Sequence, residues 1–157
     1  MGRADVTDAT EAVVVPAPPA DTGVLEPGFE LMARVTARLA AAVDSVLVEA
    51  GLTLDQWRVL TYLRGHDGAT MSELSGVLSV TGPTLTRVVD RLTTAALAHR
   101  NIDPGDRRRV LVQLAPRGRA LVTELRPRVA EAESRVLGAV PGPERADLAD
   151  ALRRMLT

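Results

Sequence analysis

LSVTGPTLTRVVDRLTTAALAHRNIDPGDRRRVLVQLAPRG, residues 78–118, carries three signals in succession. Thr81 is followed by Leu85, Val88, Val89 and Leu92 at i, i+3, i+4 and i+7, the spacing of a helix with one apolar face, opened by a threonine cap and running to about Ala96. His99 to Ile102, and then Val110, Val112 and Leu114, read as two short strands. Asp103-Pro104-Gly105-Asp106 between them is a turn, because proline presets φ at one position and glycine tolerates the next. Arg107, Arg108 and Arg109 sit in a row beside that turn, where solvation alone requires no such charge.

Upstream, Thr70-x-x-Glu73 forms a capping box, in which two side chains satisfy free backbone N–H groups of a helix start. The short helix it opens should bury Met71, Leu74, Val77 and Leu78 before the break at Ser79-Val80. A two-turn helix, a tight break and a longer capped helix have helix-turn-helix spacing. Such pairs also arise from packing alone, so the arginine-tipped hairpin, read as a wing, carries the weight. A second capping box, Thr53-x-x-Gln56, opens a helix that turns Leu54, Trp57, Leu60 and Leu63 inward and ends near Gly65. Before it, Met32, Val35, Leu39, Val43, Val46 and Leu47 predict a helix over Pro27 to Ala50, stopped by Gly51.

After the wing, Pro116 suits a helix start, since its missing N–H would be unpaired there anyway. Leu121, Leu125, Val129, Val136 and Leu137 give that helix its apolar stripe, and Pro127 should kink it. Pro141-Gly142-Pro143 breaks the chain before a last helix bearing Ala146, Leu148, Leu152 and Met155. The expected class is mainly α with a small β wing, as one domain over 27–157. The winged helix-turn-helix takes about 53–115, and the flanking helices, about 27–50 and 116–157, have apolar stripes that a second copy would cover. Residues 1–26 are acidic and rich in alanine and proline, and read as a disordered tail.

Composition narrows the function. The chain has 157 residues, 46% of them hydrophobic, and one each of Phe, Tyr and Trp. An Ala/Val/Leu core of this kind suits helix packing better than a β-sandwich. There is no long uncharged apolar run and no signal-peptide pattern, so we expect a cytoplasmic protein with no membrane partner. Without cysteine, and with two histidines, no metal, disulfide or thiol cofactor is expected. The formal net charge is −1, yet its distribution is uneven. Arg87, Arg91, Arg100, Arg107, Arg108, Arg109, Arg117 and Arg119 face only Asp90, Asp103 and Asp106 within residues 87–119. A locally basic segment on a near-neutral protein is the footprint of a phosphate-binding face.

In that combined order the chain resembles the MarR family over about residues 29–157. The resemblance implies a winged-helix homodimer, joined through its terminal helices, that binds palindromic DNA. It also implies release of DNA by a small, often anionic aromatic effector in many members. It places Thr81 to Arg87 at the recognition-helix start that meets the major groove, and Arg107 and Arg108 at the wing tip. Ala115 departs from the family's usual threonine cap. The missing cysteines put the chain outside the family's thiol-oxidation sensors.

The expected DNA contacts are Ser72, Thr81, Gly82, Thr84, Thr86, Arg87, Arg91, Arg107 and Arg108. Arg87 can donate two bonds to guanine O6 and N7, and the threonines can touch a thymine methyl or a phosphate. Ser72, near a helix start, suits a phosphate, while Arg91 can take a phosphate or pair with Asp90. Trp57, Arg58 and His66 are candidates for an effector pocket between the winged core and the dimer helices, although Trp57 also suits the core and His66 a plain loop. An enzyme is not expected: there is no nucleophile elbow, phosphate loop or metal spacing. The alternative to DNA binding is a winged-helix protein-interaction module.

Overall fold

The computed structural model describes residues 28–78 and 80–156. Six helices and one hairpin follow in the order α1 (Gly28–Glu49), α2 (Leu54–Arg64), α3 (Met71–Leu78), α4 (Gly82–Thr94), β1 (Ala98–Ile102), β2 (Val110–Leu114), α5 (Pro116–Leu137) and α6 (Gly142–Met155). The expected tail lies outside the described residues.

Local chemistry explains most boundaries. Thr53 and Gln56 exchange both bonds of a capping box at the start of α2, and Thr70 and Glu73 do the same for α3. α1 ends in a Schellman motif: Leu52 N–H donates to the Leu47 carbonyl and Gly51 N–H to that of Val48, with Gly51 at φ +69°. α4 ends in the same way, with Leu97 donating to Leu92 and Ala96 to Thr93. There the left-handed position falls on Ala96, at φ +55°, where a Cβ is unfavourable. α4 therefore stops at Thr94, two residues before the end expected from its sequence.

β1 and β2 pair antiparallel, with Ala98 opposite Leu114, His99 opposite Gln113 and Ile102 opposite Val110. Ala69 adds a one-residue bridge to Val112 on the other edge of β2. The core gathers Leu60 and Leu63 of α2, Leu74 of α3, Leu85, Val89 and Leu92 of α4, and Val112 of β2, all fully buried, and continues through Leu47 of α1 to Val122 and Leu125 of α5. α5 lies along α1 and α2. Its approach to the wing root depends on Gly118, where a Cβ would lie 2.1 Å from the Leu97 carbonyl oxygen.

Two parts of the expected core need correction. Val77 is more than half exposed, because α3 presents Leu74 and Leu78, one turn apart, to its neighbours. The buried stripe of α5 is Val122, Leu125, Val129 and Ala132, while Leu121, Val136 and Leu137 are half-buried beside it. α5 runs on through Pro127, and α6 buries none of its described residues.

Candidate nucleic-acid interface

α4 has two faces. Leu85, Val88, Val89 and Leu92 point inward, and Thr81, Gly82, Thr84, Thr86, Arg87 and Arg91 are exposed. The start of α4 has no side-chain cap: the Thr81 hydroxyl meets that of Thr84 at 2.9 Å instead of a backbone N–H. Uncapped N–H groups at a helix start suit a phosphate oxygen. Thr86 donates its hydroxyl back to the Gly82 carbonyl, which leaves its methyl and its oxygen lone pairs available outward.

The arginines divide by partner. Among the described residues no ion pair or hydrogen bond engages the guanidinium group of Arg87, Arg91, Arg107 or Arg108. The pairing of Arg91 with Asp90, one of its two expected roles, is not formed. Arg100 of β1 reaches across to take Asp90 at 2.8 Å. Arg109 differs from its two neighbours in the wing. It pairs with Glu73 of α3 at 3.2 Å and stands 3.9 Å from Asp103, so it ties the wing to the helix-turn-helix.

The turn is held from within. Gly105 N–H donates to the Asp103 carboxylate, Arg108 N–H to that of Asp106, and Asp103 N–H to the Arg109 carbonyl. The two acids are thereby spent on backbone donors, and the Arg107 and Arg108 side chains stay outward. Ser72 is exposed in the first turn of α3. Beside it, the Thr70 backbone N–H, the Thr70 side chain and then Arg109 hold the Glu73 carboxyl below the usual carboxylate range.

The three effector candidates do not converge. Trp57 is in the core, Arg58 donates to the Leu78 carbonyl at 2.9 Å and pairs with Asp55, and His66 is exposed and stacked on Tyr62. A cavity of about 420 Å³ instead lies between α2 and α5, lined by Thr61, Arg64, Gly65, Val122 and Arg126. Arg64 and Arg126 escaped sequence reading because they are far apart in the chain and neither belongs to a motif. Their one signal was an arginine on the polar side of each helix.

The chain matches the family model described as MarR family over residues 50–109. It is 29% identical over 133 residues to the HTH-type transcriptional repressor NicR of Pseudomonas putida, covering 85% of this chain and 84% of the relative. A structure of Bordetella bronchiseptica BpsR, described with regulation of its DNA binding by 6-hydroxynicotinic acid, is 31% identical, with a TM-score of 0.74 over 83% of this chain and 93% of that one. The chain belongs to the MarR family. It is a MarR-type winged-helix regulator, in which α3 and α4 form the helix-turn-helix and β1–β2 the wing. A further MarR-family structure, from Mycobacterium tuberculosis in complex with p-aminosalicylic acid, is 28% identical with a TM-score of 0.71, covering 84% of this chain and all of that one.

Proposed function

We propose that this MarR-family chain acts as a homodimer on a palindromic operator and is released by a small anionic aromatic effector. The observation that carries the reading is the division of the arginines: the guanidinium groups of Arg87 and Arg91 on α4 and of Arg107 and Arg108 on the wing have no partner among the described residues, while nearby Arg100 and Arg109 are paired. α4 would enter the major groove and the wing would follow the flanking backbone or minor groove. Two copies would present half-sites about 34 Å apart, one turn of DNA. Phe29, Leu31, Met32 and Val35 of α1, with Leu148, Leu152 and Met155 of α6, are exposed apolar residues that a second copy would cover.

The effector reading rests on the α2–α5 cleft and on the relatives' ligands, 6-hydroxynicotinic acid and p-aminosalicylic acid. Both carry a carboxylate, and Arg64 and Arg126 can clamp one from two helices. α2 belongs to the reading half and α5 reaches toward the proposed dimer interface. A ligand between them would alter the separation of the two recognition helices.

Titration of labelled operator at several salt concentrations tests the DNA reading. Arg87→Ala should relax discrimination at one base pair per half-site by about 1–3 kcal/mol. Arg108→Ala should weaken binding to many sequences and flatten the salt slope by about one unit for each phosphate that the wing no longer neutralises. Arg135→Ala, which removes a pairing with Glu131 at 3.5 Å on α5, is the control and should change little. Equal losses in all three variants would contradict the assignment of the DNA face.

A further inference from the structure

Both histidines of the chain line one cavity, of about 350 Å³, together with Asp67, Gln113, Leu114 and Arg119. It lies at the wing root, between the loop after α2, the β1–β2 ends and the first turns of α5. The α2–α5 cleft shares none of these residues.

The walls are fixed by bonds already made. Gln113 donates to the Asp67 carbonyl at 2.9 Å, accepts from Asn101 at 2.6 Å and packs over Gly68, so it has little freedom to fill the space. His66 stacks on the Tyr62 ring, centroids 4.0 Å apart, with Nδ1 2.7 Å from the Tyr62 carbonyl oxygen. A carbonyl only accepts, so the Nδ1 proton is committed to that bond, and Nε2 can donate to a ligand only after taking up a proton. The ring of His99, opposite Gln113 in the sheet, has no such commitment among the described residues. Arg119 accepts at its carbonyl from the Thr123 hydroxyl at 2.9 Å, but its guanidinium has no ion-pair or hydrogen-bond partner among the described residues. It also stands in the first turn of a helix with no acidic residue in that turn and no side-chain cap, where the helix dipole opposes a cation. An anion at this position would relieve both conditions.

We propose that this cavity is a ligand site distinct from the α2–α5 cleft, taking a small monocarboxylate that also bears a hydroxyl or amino group. Arg119 receives the carboxylate in a two-pronged charge-assisted contact. Protonated His66 adds a second positive charge and Asp67 removes one, so the site matches a single negative charge better than a phosphate dianion. Asp67 then accepts from the ligand's hydroxyl or amino group, and Leu114 supplies an apolar wall.

Imidazole NMR of the full chain, with p-aminosalicylate as the probe, tests the proposal, since two histidines give two ring systems. His66 and His99 signals should move together on titration with the probe. Arg119→Ala should weaken this response about tenfold or more, and Arg119→Lys less. His66→Gln should keep a weaker response at His99, and Arg126→Ala should leave both rings responding as before. Rings unmoved at millimolar probe, or moving equally in Arg119→Ala, would overturn the site. Loss of the response in Arg126→Ala would also overturn it, because the rings would then report the α2–α5 cleft. Loss in Arg119→Ala, with the amide spectrum otherwise unchanged, would support it even if no ligand entered the cleft.

Discussion

The winged region and the terminal helices treat apolar side chains in opposite ways. Between Leu52 and Val129 the large aliphatics are mostly inward, as with Leu60, Leu74, Leu85 and Leu92. On the first half of α1 and along α6 they face outward: Phe29 is 81% exposed and Met155 70%. The polar groups reverse as well. Thr53, Gln56, Thr70 and Glu73 of the winged region are committed to caps, whereas α6 starts at Pro141 without a side-chain cap. A finished surface and an unfinished one thus occur in one chain, and the difference indicates where the fold is self-sufficient and where it needs company.

The strongest way to break this contrast is to remove equivalent leucines from the two regions. Leu60→Ala should cost about 2–5 kcal/mol in denaturant unfolding, because truncating a fully buried side chain leaves a cavity. Leu152→Ala should cost about 0.5 kcal/mol or less when the protein is dilute, and more as concentration rises if a second copy covers α6. A similar loss for both at all concentrations would mean that α6 packs within its own chain.

Next in size is a pair of charges placed on the unfinished surface. Leu148→Glu with Leu152→Glu should shift light scattering toward the mass of one chain. It should also lower operator affinity by about a hundredfold or more, since one half-site then binds without the other. Unchanged mass would remove α6 from the interface.

A smaller effect sharpens the picture of the winged region. Ala96 occupies a left-handed position, so Ala96→Gly should raise stability by about 1 kcal/mol in thermal unfolding despite adding backbone freedom. A loss would show that this turn tolerates its Cβ at no cost.

The smallest concerns Glu73. Its folded-state pKa lies below the unfolded one, so the stability it adds is complete above the unfolded value and fades as pH falls through the lowered folded value. Glu73→Gln keeps the cap but not the charge. The variant should therefore lose less stability than the parent as pH falls below the ordinary carboxylate range, in melting followed against pH. Parallel curves would mean that Arg109 and Thr70 add nothing through this carboxylate.

What could be read from the sequence was local. The boxes at Thr53 and Thr70, the stop at Gly51 and the turn at Asp103 to Asp106 are each written within a few residues, and their hydrogen bonds follow that spacing. The exposed face of α4 was legible because a strong apolar stripe leaves one side for the solvent. Arg109 was not separable from Arg107 and Arg108, because its partner Glu73 lies 36 residues away. Val122 rather than Leu121 faces the core because the side of α5 that packs on α1 and α2 is the line Val122, Leu125, Val129 and Ala132, and sequence spacing alone does not choose between adjacent positions. The Ala96 turn carried no glycine to announce it. For the candidate effector site, His66 was noticed for its chemistry, while Arg64, Arg119 and Arg126 depend on a meeting of helices that no short window contains.

The bridge between Ala69 and Val112 bears on the order in which the chain assembles. Each donates to the other's carbonyl, at 3.0 and 2.8 Å. The hairpin itself closes over a short loop, but this bridge joins positions far apart in the chain and must wait for a much larger one to close. The hairpin can thus form early and dock late. In the folded state the Val112 amide, deep in the core, should exchange its hydrogen slowly, and the amides around Gly105 quickly. The wing can therefore fray at its tip while its root stays fastened to the helix-turn-helix.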